Sequence, residues 1–459
     1  MGNRAFAVLK KNRTDKCGDE VTGMDGLIPQ KLRQLSRSES ESRRAVPRHS
    51  NWVGSYASLA TFVNECQSWL PEERYNKLMD AVDDLGTRSG GISGAVSYDT
   101  AHFEGHMDDF NSVMFGPTKS YTFVHRKLLC TDFDCLRVGK NLNMDASTIA
   151  CAFACPFDLV GKYSIDNAVL VRWIATIASM YLDNPYHSWR HAYDVFQFSY
   201  FALSEGAGSR FFNYHDMLAL MISAIAHDVG HTGTNNSFLV QTRSPLALTY
   251  NDRSPMENMH ASVLFETLTK PGLNVLSGLS TDAYTKIRAK MIEAILATDM
   301  AHHFEFVDQL TARTSHTSTK PFLLNVKFGG EERENASRAD RRMLLTAFLH
   351  TADLGHTLRP WDVHKNLVVL LEEEFFLQGD RQRDLEMNIM PMMDRTKDSV
   401  ASSQAFFLEK LVRPLVEPFT LFLSVDAGIQ MLANLEDNAK HWAKLLEKHL
   451  SLFQAYVFT

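Results

Sequence analysis

Cysteine is scarce in this 459-residue chain: Cys17, Cys66, Cys130, Cys135, Cys151 and Cys155, with no C-x-x-C pair among them. A disulfide scaffold and a thiolate zinc finger are thereby excluded, and the thiols read as reduced and mostly buried. Long apolar runs are missing as well. The richest stretch, 146–160, is broken by Ser147, Thr148, Pro156 and Asp158, so no integral membrane segment is expected. The first residues, Met1 to Arg4, lack the apolar core of a secretion signal. Phe6 stands where a myristoylation site needs Ser or Thr. The expected compartment is the cytoplasm. A basic excess is also absent. The net charge is −7, and only residues 1–50 lean the other way, with 11 Lys/Arg against 6 Asp/Glu; the rest carries 36 against 48. A mildly acidic body has few cations with which to displace phosphate counterions, which excludes nucleic acid as the main partner.

What remains is a chain that is 45% hydrophobic and 10% aromatic, enough to fill a sizeable core. Residues 1–50 are polar, with a Ser/Arg/Glu run at 32–44, and read as a disordered tail. Residues 51–119 read as a helical extension (helical spacing over 52–86) followed by a Gly/Ser linker at 87–97. From 120 to 459 the text is dense and helical. Segments 167–182, 216–227, 287–299, 341–354, 366–378, 399–423 and 429–458 are apolar over most of their length, as expected of helices inside a large domain. Strand-like alternation is limited to 323–330, which reads better as part of a long surface loop over 315–335. The predicted fold is all-α, a large compact multi-helix domain.

Histidines beside carboxylates stand out in this helical text. His187 and His191 are four apart, a spacing that places both on one face if the segment is helical. His227, Asp228 and His231 follow the apolar run 217–226. His350 and Asp353 end the apolar run 343–349. Imidazoles and carboxylates at the ends of buried helices are costly unless paired or bound to a cation. One such group has a bland explanation in a core histidine bonded to a carbonyl; three together have the composition of a metal site. Imidazole and carboxylate without thiolate suit zinc, iron, manganese or magnesium, and one shared Asp suits a pair of ions.

The order of these motifs resembles the catalytic domain of class I 3′,5′-cyclic-nucleotide phosphodiesterases over roughly 120–430. The matching pieces are P-Y-H-S-W-R-H-A-Y-D-V (185–195), H-D-V-G-H-T-G (227–233), L-A-L-T-Y-N-D (246–252), E-N-M-H (257–260) and T-D-M-A-H-H (298–303). They continue with H-T-A-D (350–353), E-E-F-F-L-Q-G-D (373–380), M-D-R (393–395) and S-S-Q-A-F-F (402–407). Q-T-R-S (241–244) and Y-N-D-R-S (250–254), with His356, look nearest the calcium/calmodulin-dependent subgroup.

The resemblance implies a metallophosphohydrolase of HD type. His191, His227, Asp228 and Asp353 would hold zinc at the tight site, and Asp228 would bridge to a second ion, Mg2+ or Mn2+. His231, Glu257 and Thr298 match positions that hold that ion's waters. A hydroxide shared by the two metals would attack phosphorus, with His187 as general acid, kept protonated by Glu257 or another acid. Gln404 would read the purine edge, with Phe407 and Leu371 closing on the base, and with Tyr186 and His356 also lining the nucleotide pocket. The implied activity is conversion of cAMP, with cGMP as a further substrate, to the 5′-monophosphate, ending cyclic-nucleotide signalling.

Several residues depart from the family pattern. Ser188 stands where Asn is usual, which predicts a looser orientation of His187. Met259 replaces a second His, His356-Thr357 replaces Asn-Pro, and Leu367 replaces Trp. The basic segment from Asn3 to Arg13 is a poor calmodulin-target candidate, and a homodimer is one option for assembly. Competing readings are another HD-type nucleotide phosphohydrolase and a catalytically weak cyclic-nucleotide sensor.

Overall fold

A helix with apolar residues on every face has no side to give to water and must run through the interior. Two helices of this protein meet that condition. In Trp189–Leu203 every described residue but Arg190 is buried, and in Tyr214–Ala226 burial runs unbroken from Asp216 onward. A computed structural model describes residues 128–137, 142–315 and 332–457, all within the unit Met114–Thr459. The readings made for residues 1–119 lie outside the described residues.

Fifteen α-helices and no strand occur among the described residues. In chain order they are α1 (Leu142–Ala154), α2 (Leu159–Tyr163), α3 (Asn167–Met180), α4 (Trp189–Leu203), α5 (Tyr214–Ala226), α6 (Asn236–Gln241), α7 (Pro245–Tyr250) and α8 (Pro255–Leu268). They continue with α9 (Thr281–Leu296), α10 (His303–Thr314), α11 (Glu332–Asp353), α12 (Trp361–Asp384), α13 (Val400–Phe407), α14 (Arg413–Thr420) and α15 (Val425–Val457). None of them is long and apolar enough to cross a membrane. One apolar cluster, which includes Trp173, Phe196, Leu220, Phe348 and Phe419, joins α3, α4, α5, α11 and α14.

Local chemistry sets the ends of the helices that carry function. Asn213 and Asp216 form a reciprocal capping box at the start of α5. At its far end Gly230 has φ 80, a left-handed turn that costs glycine little and lets the chain reverse immediately after His227 and Asp228. The predicted helix over 399–423 is instead three pieces. A π turn at Leu408–Val412 separates α13 from α14, just before Pro414, which has no N–H to continue an α ladder. The expected loop over 315–335 ends earlier than its pattern suggested, because α11 already begins at Glu332; the candidate strand at 323–330 lies outside the described residues.

Two devices fix the segment after Asp353. Arg359, 2% exposed, donates to Asp194 Oδ1 (2.8 Å) and Gln197 Oε1 (2.5 Å) on α4. Removing one member of such a buried pair strands the other and costs about 3–5 kcal/mol. From the C-terminal side, α15 clamps the 3-10 turn Gly355–Leu358. Asn438 Nδ2 donates to the carbonyls of Thr357 and Arg359, and Asn434 Nδ2 to that of Leu358.

Helix α12 is buried on two faces. Leu367, Leu371, Glu374 and Gln378 share one, while Val368, Glu372 and Gly379 share the other. A Cβ built on Gly379 would stand 1.8 Å from the Met393 carbonyl oxygen, a backbone atom that cannot move aside. Gly379→Ala is therefore expected to destabilise the protein by about 2–4 kcal/mol. Denaturant melts of the two proteins measure this, and equal midpoints would show that the 385–399 loop yields freely.

Candidate metal centre and nucleotide pocket

The long loops between helices bring four side chains, 162 positions apart at their extremes, to one point. His191 Nε2 lies 2.9 Å from Asp353 Oδ1 and 3.4 Å from Asp228 Oδ2. His227 Nε2 lies 3.3 Å from each of Asp353 Oδ1, Asp228 Oδ2 and His191 Nε2. Ligands held at ~2.0–2.2 Å around one ion stand roughly 3.0–3.5 Å from one another, so the cluster has the dimensions of a coordination shell. Its charge fits as well. Burial resists charge on His191 and His227, but the two aspartates override it and raise both imidazoles. Burial likewise opposes ionisation of Asp228 and Asp353, and the imidazoles hold both carboxyls well below the usual range. One divalent cation replaces two such protons without changing the net charge of the site.

Supporting contacts aim these ligands. His227 Nδ1–H donates to the Ala224 carbonyl (3.1 Å), which leaves Nε2 as the ligand atom. The buried Tyr181 hydroxyl donates to the Ile225 carbonyl (2.9 Å) and accepts the Asp228 N–H (3.3 Å). Asp228 faces two ways: Oδ2 meets His191 and His227, and Oδ1 lies 3.6 Å from His260 Nε2. His260 Nδ1–H is committed to the Val229 carbonyl at 2.8 Å.

His187 lies at the edge of this cluster but not on the helix of His191. The shared helical face predicted for the pair is not formed: α4 begins at Trp189, because the backbone N–H groups of Tyr186 and His187 are taken by Glu374 Oε2 at 2.9 and 3.0 Å. The same carboxylate accepts His187 Nδ1–H through Oε1 at 2.5 Å. Burial works against charge on His187, yet Glu374 outweighs it and lifts the imidazole to about 9. Glu374, despite its own burial, is held down at about 2 by His187. His231 stacks on His187 with ring centroids 4.1 Å apart, and its Nδ1 accepts the Gly233 N–H at 3.0 Å. His187, His231 and Glu374 also have the spacing of a metal site. Their inward lone pairs are already spent on hydrogen bonds, so the trio reads as a hydrogen-bonded dyad with a stacked neighbour.

The suggestion that Glu257 could hold His187 is corrected here. Glu257 instead accepts from Asn236 Nδ2 (2.9 Å), and burial, with repulsion from Asp299, pushes it up to about 7. Thr298 is buried, its hydroxyl donating to the Ile295 carbonyl. The looseness expected from Ser188 is not found either. Asn184 Nδ2 holds the carbonyls of His187 (2.9 Å) and His231 (2.7 Å), tying the two loops together. His350, part of the original pattern, stays outside the cluster and bonds His303 (2.8 Å).

On the nucleotide side, Tyr186 contacts the rings of His187, His191 and His356 and packs with Cys135, Leu367 and Leu371. His356 is fully buried and bonds His364 Nδ1 (3.2 Å), whose Nε2 accepts from Trp442 on α15. Gln404, 3% exposed, donates from Nε2 to Glu372 Oε1 (3.1 Å). Phe407, half-buried, lies three residues further along α13 and packs on the main core. Sequence reasoning gave no role to Glu374, Glu372, Tyr181 or Asn184. For the two glutamates a signal existed: both recur at helical spacing among the apolar positions 367, 368 and 371, where a carboxylate must be buried.

A profile described as 3′5′-cyclic nucleotide phosphodiesterase matches residues 186–435. The chain is 33% identical over 333 residues to a dual specificity calcium/calmodulin-dependent 3′,5′-cyclic nucleotide phosphodiesterase 1B from Cricetulus griseus, covering 71% of this chain and 58% of that protein. It is also 33% identical over 288 residues to a high affinity cGMP-specific 3′,5′-cyclic phosphodiesterase 9A from Mus musculus, covering 62% of this chain and 51% of that protein. The chain thus spans somewhat over half the length of the curated relatives it matches. Among solved structures, the phosphodiesterase domain of a rhodopsin phosphodiesterase from Salpingoeca rosetta superposes with a TM-score of 0.65 at 26% identity, covering 74% of this chain and 98% of that one. With the profile matched over more than half of its length, the chain belongs to the metal-dependent family of 3′,5′-cyclic nucleotide phosphodiesterases.

Proposed function

We propose that the protein hydrolyses 3′,5′-cyclic nucleotides, cAMP foremost and cGMP as a second substrate, to nucleoside 5′-monophosphates. The observation that carries this reading is the convergence of His191, His227, Asp228 and Asp353 at coordination distances beside the His187–Glu374 dyad. In this reading the four residues hold Zn2+, supported by a mixed imidazole and carboxylate set. Asp228 Oδ1, turned away from the first set, serves a second ion, Mg2+ or Mn2+, whose waters are held by His231, Glu257 and Thr298. When bound, the two cations acidify water and draw charge from the phosphoryl oxygens.

The chain's own residues do the rest. His187, charged below about 9 through Glu374, carries a proton at Nε2. As the bond from phosphorus to the 3′ oxygen breaks, that oxygen takes the proton, and solvent restores it. Tyr186, His356, Leu371, Gln404 and Phe407 orient the base. The catalytic unit spans 120–459, with the tail (1–50) and helical extension (51–119) ahead of it.

The test is an assay with cAMP and cGMP beside a panel of nucleoside mono- and triphosphates. Release of 5′-AMP or 5′-GMP is the expected result. Turnover confined to non-cyclic nucleotides would replace this reading with another phosphohydrolase, and binding without product with a sensor. Repeating the assay with calcium and calmodulin decides whether the basic segment from Asn3 to Arg13 carries a calmodulin site.

A further inference from the structure

A primary amide is two-faced, since its oxygen accepts and its nitrogen donates; a freely turning glutamine can match the edge of either purine. The surroundings of Gln404 remove that freedom. Its Nε2 donates to Glu372 Oε1 at 3.1 Å, both side chains being buried. Turning the amide over would set Oε1 against a carboxylate oxygen at the same distance, acceptor against acceptor. The orientation is therefore fixed by charge. Its other face is unsatisfied: Gln404 Oε1 is buried with no hydrogen-bond partner among the described residues. A buried carbonyl oxygen left unpaired is costly, and a donor brought by a ligand relieves it.

We infer that Glu372 is a positioning residue that locks the Gln404 amide with its oxygen toward the base, so that the site selects adenine over guanine. This rests on the reading of Gln404 as the purine-edge residue. The 6-amino group of adenine donates to Oε1. A guanine in the same pose presents its 6-oxo group instead and puts two acceptors face to face.

The placement of Glu372 suits the role. It sits on the face of α12 turned to α13, one residue from Leu371, which packs with Tyr186, and two from Glu374, which holds His187. The lock and the chemistry thus hang from the same turn of one helix. Burial raises the Glu372 carboxyl to about 7, opposed by the Gln404 hydrogen bond and reinforced by Asp398. Assays near pH 8.5 keep Glu372 ionised and able only to accept.

The experiment compares kcat/KM for cAMP and cGMP in the unaltered chain, Glu372→Gln and Glu372→Leu. The unaltered chain is expected to favour cAMP by about tenfold or more. Glu372→Gln, which can donate or accept and so permits either amide orientation, should bring the ratio toward parity, with the change carried by KM. Glu372→Leu should narrow it as well. A merely structural role would lower both nucleotides alike and leave the ratio where it was. A preference for cGMP in the unaltered chain, or a ratio in Glu372→Gln within about twofold of the unaltered one, overturns the inference. Absence of turnover with both nucleotides counts against the hydrolytic reading instead. Calorimetric titration of each nucleotide into chelator-treated protein then reads the same selectivity, and an unchanged binding ratio there also overturns the role of Glu372.

Discussion

Asp353→Asn is expected to abolish turnover, by about 10^3-fold or more, and to strip metal from the purified protein. The substitution keeps the shape of the side chain and removes only its charge. Asp353 Oδ1 lies 2.9 Å from His191 Nε2 and 3.3 Å from His227 Nε2, so it faces both imidazole ligands at once. A neutral amide there offers one weak oxygen and presents N–H hydrogens where lone pairs are needed. Elemental analysis of the variant beside the unaltered protein measures the metal, and cAMP hydrolysis measures the consequence. Circular dichroism keeps misfolding apart from loss of the site. Near-normal turnover with near-normal metal content would remove the cluster from the chemistry altogether. In chelator-treated protein the linkage is also defined. Asp353 titrates below its unfolded value, so its contribution to stability is present above about pH 4 and fades as the pH falls further.

Glu374→Gln should move the alkaline limb of kcat by two or more pH units toward acid and lower kcat at neutral pH by about 10^2-fold. His187 donates a proton in the proposed reaction, so activity persists only while it is charged. With Glu374 ionised, that condition holds up to about 9. Without the charge, burial is the dominant remaining influence, and it drives the imidazole below its ordinary 6.5. A pH profile of kcat for the two proteins checks this. An unmoved limb would show that some other group supplies the proton.

The same pair has a stability signature. Glu374 falls from 4.5 to about 2 on folding, so its contribution is complete above 4.5 and lost as the pH drops toward 2. His187 rises from 6.5 to about 9, so its contribution is complete below 6.5 and lost as the pH rises through 9. These are one interaction seen from each partner, on the order of 3 kcal/mol, greatest between about pH 4.5 and 6.5.

Much of this was legible in the residue order. Apolar residues on all faces of 189–203 and 216–226 implied interior helices, because the chain offers those segments no other solution. Carboxylates beside imidazoles at the ends of such helices implied a cation. Other features escaped because they depend on neighbours far away in sequence. The four-residue spacing of His187 and His191 suggested one helical face, and only the demand of Glu374 for two backbone N–H groups shows why the helix starts after His187. The partner of His187 was sought at Glu257; the carboxylate that reaches it lies 187 positions along the chain. Ser188 looked like a loosening substitution until Asn184 and Glu374 were seen to hold the loop from both sides.

The sequence by itself determined the helical class, the exclusion of thiolate and disulfide chemistry, and the identity of the metal-binding side chains, since these follow from composition, periodicity and the cost of burying charge. Tertiary structure alone decided which carboxylate charges His187 and which way the Gln404 amide faces. Both are settled by contacts a few ångströms long between helices far apart in the chain, and a one-dimensional pattern carries no record of such distances.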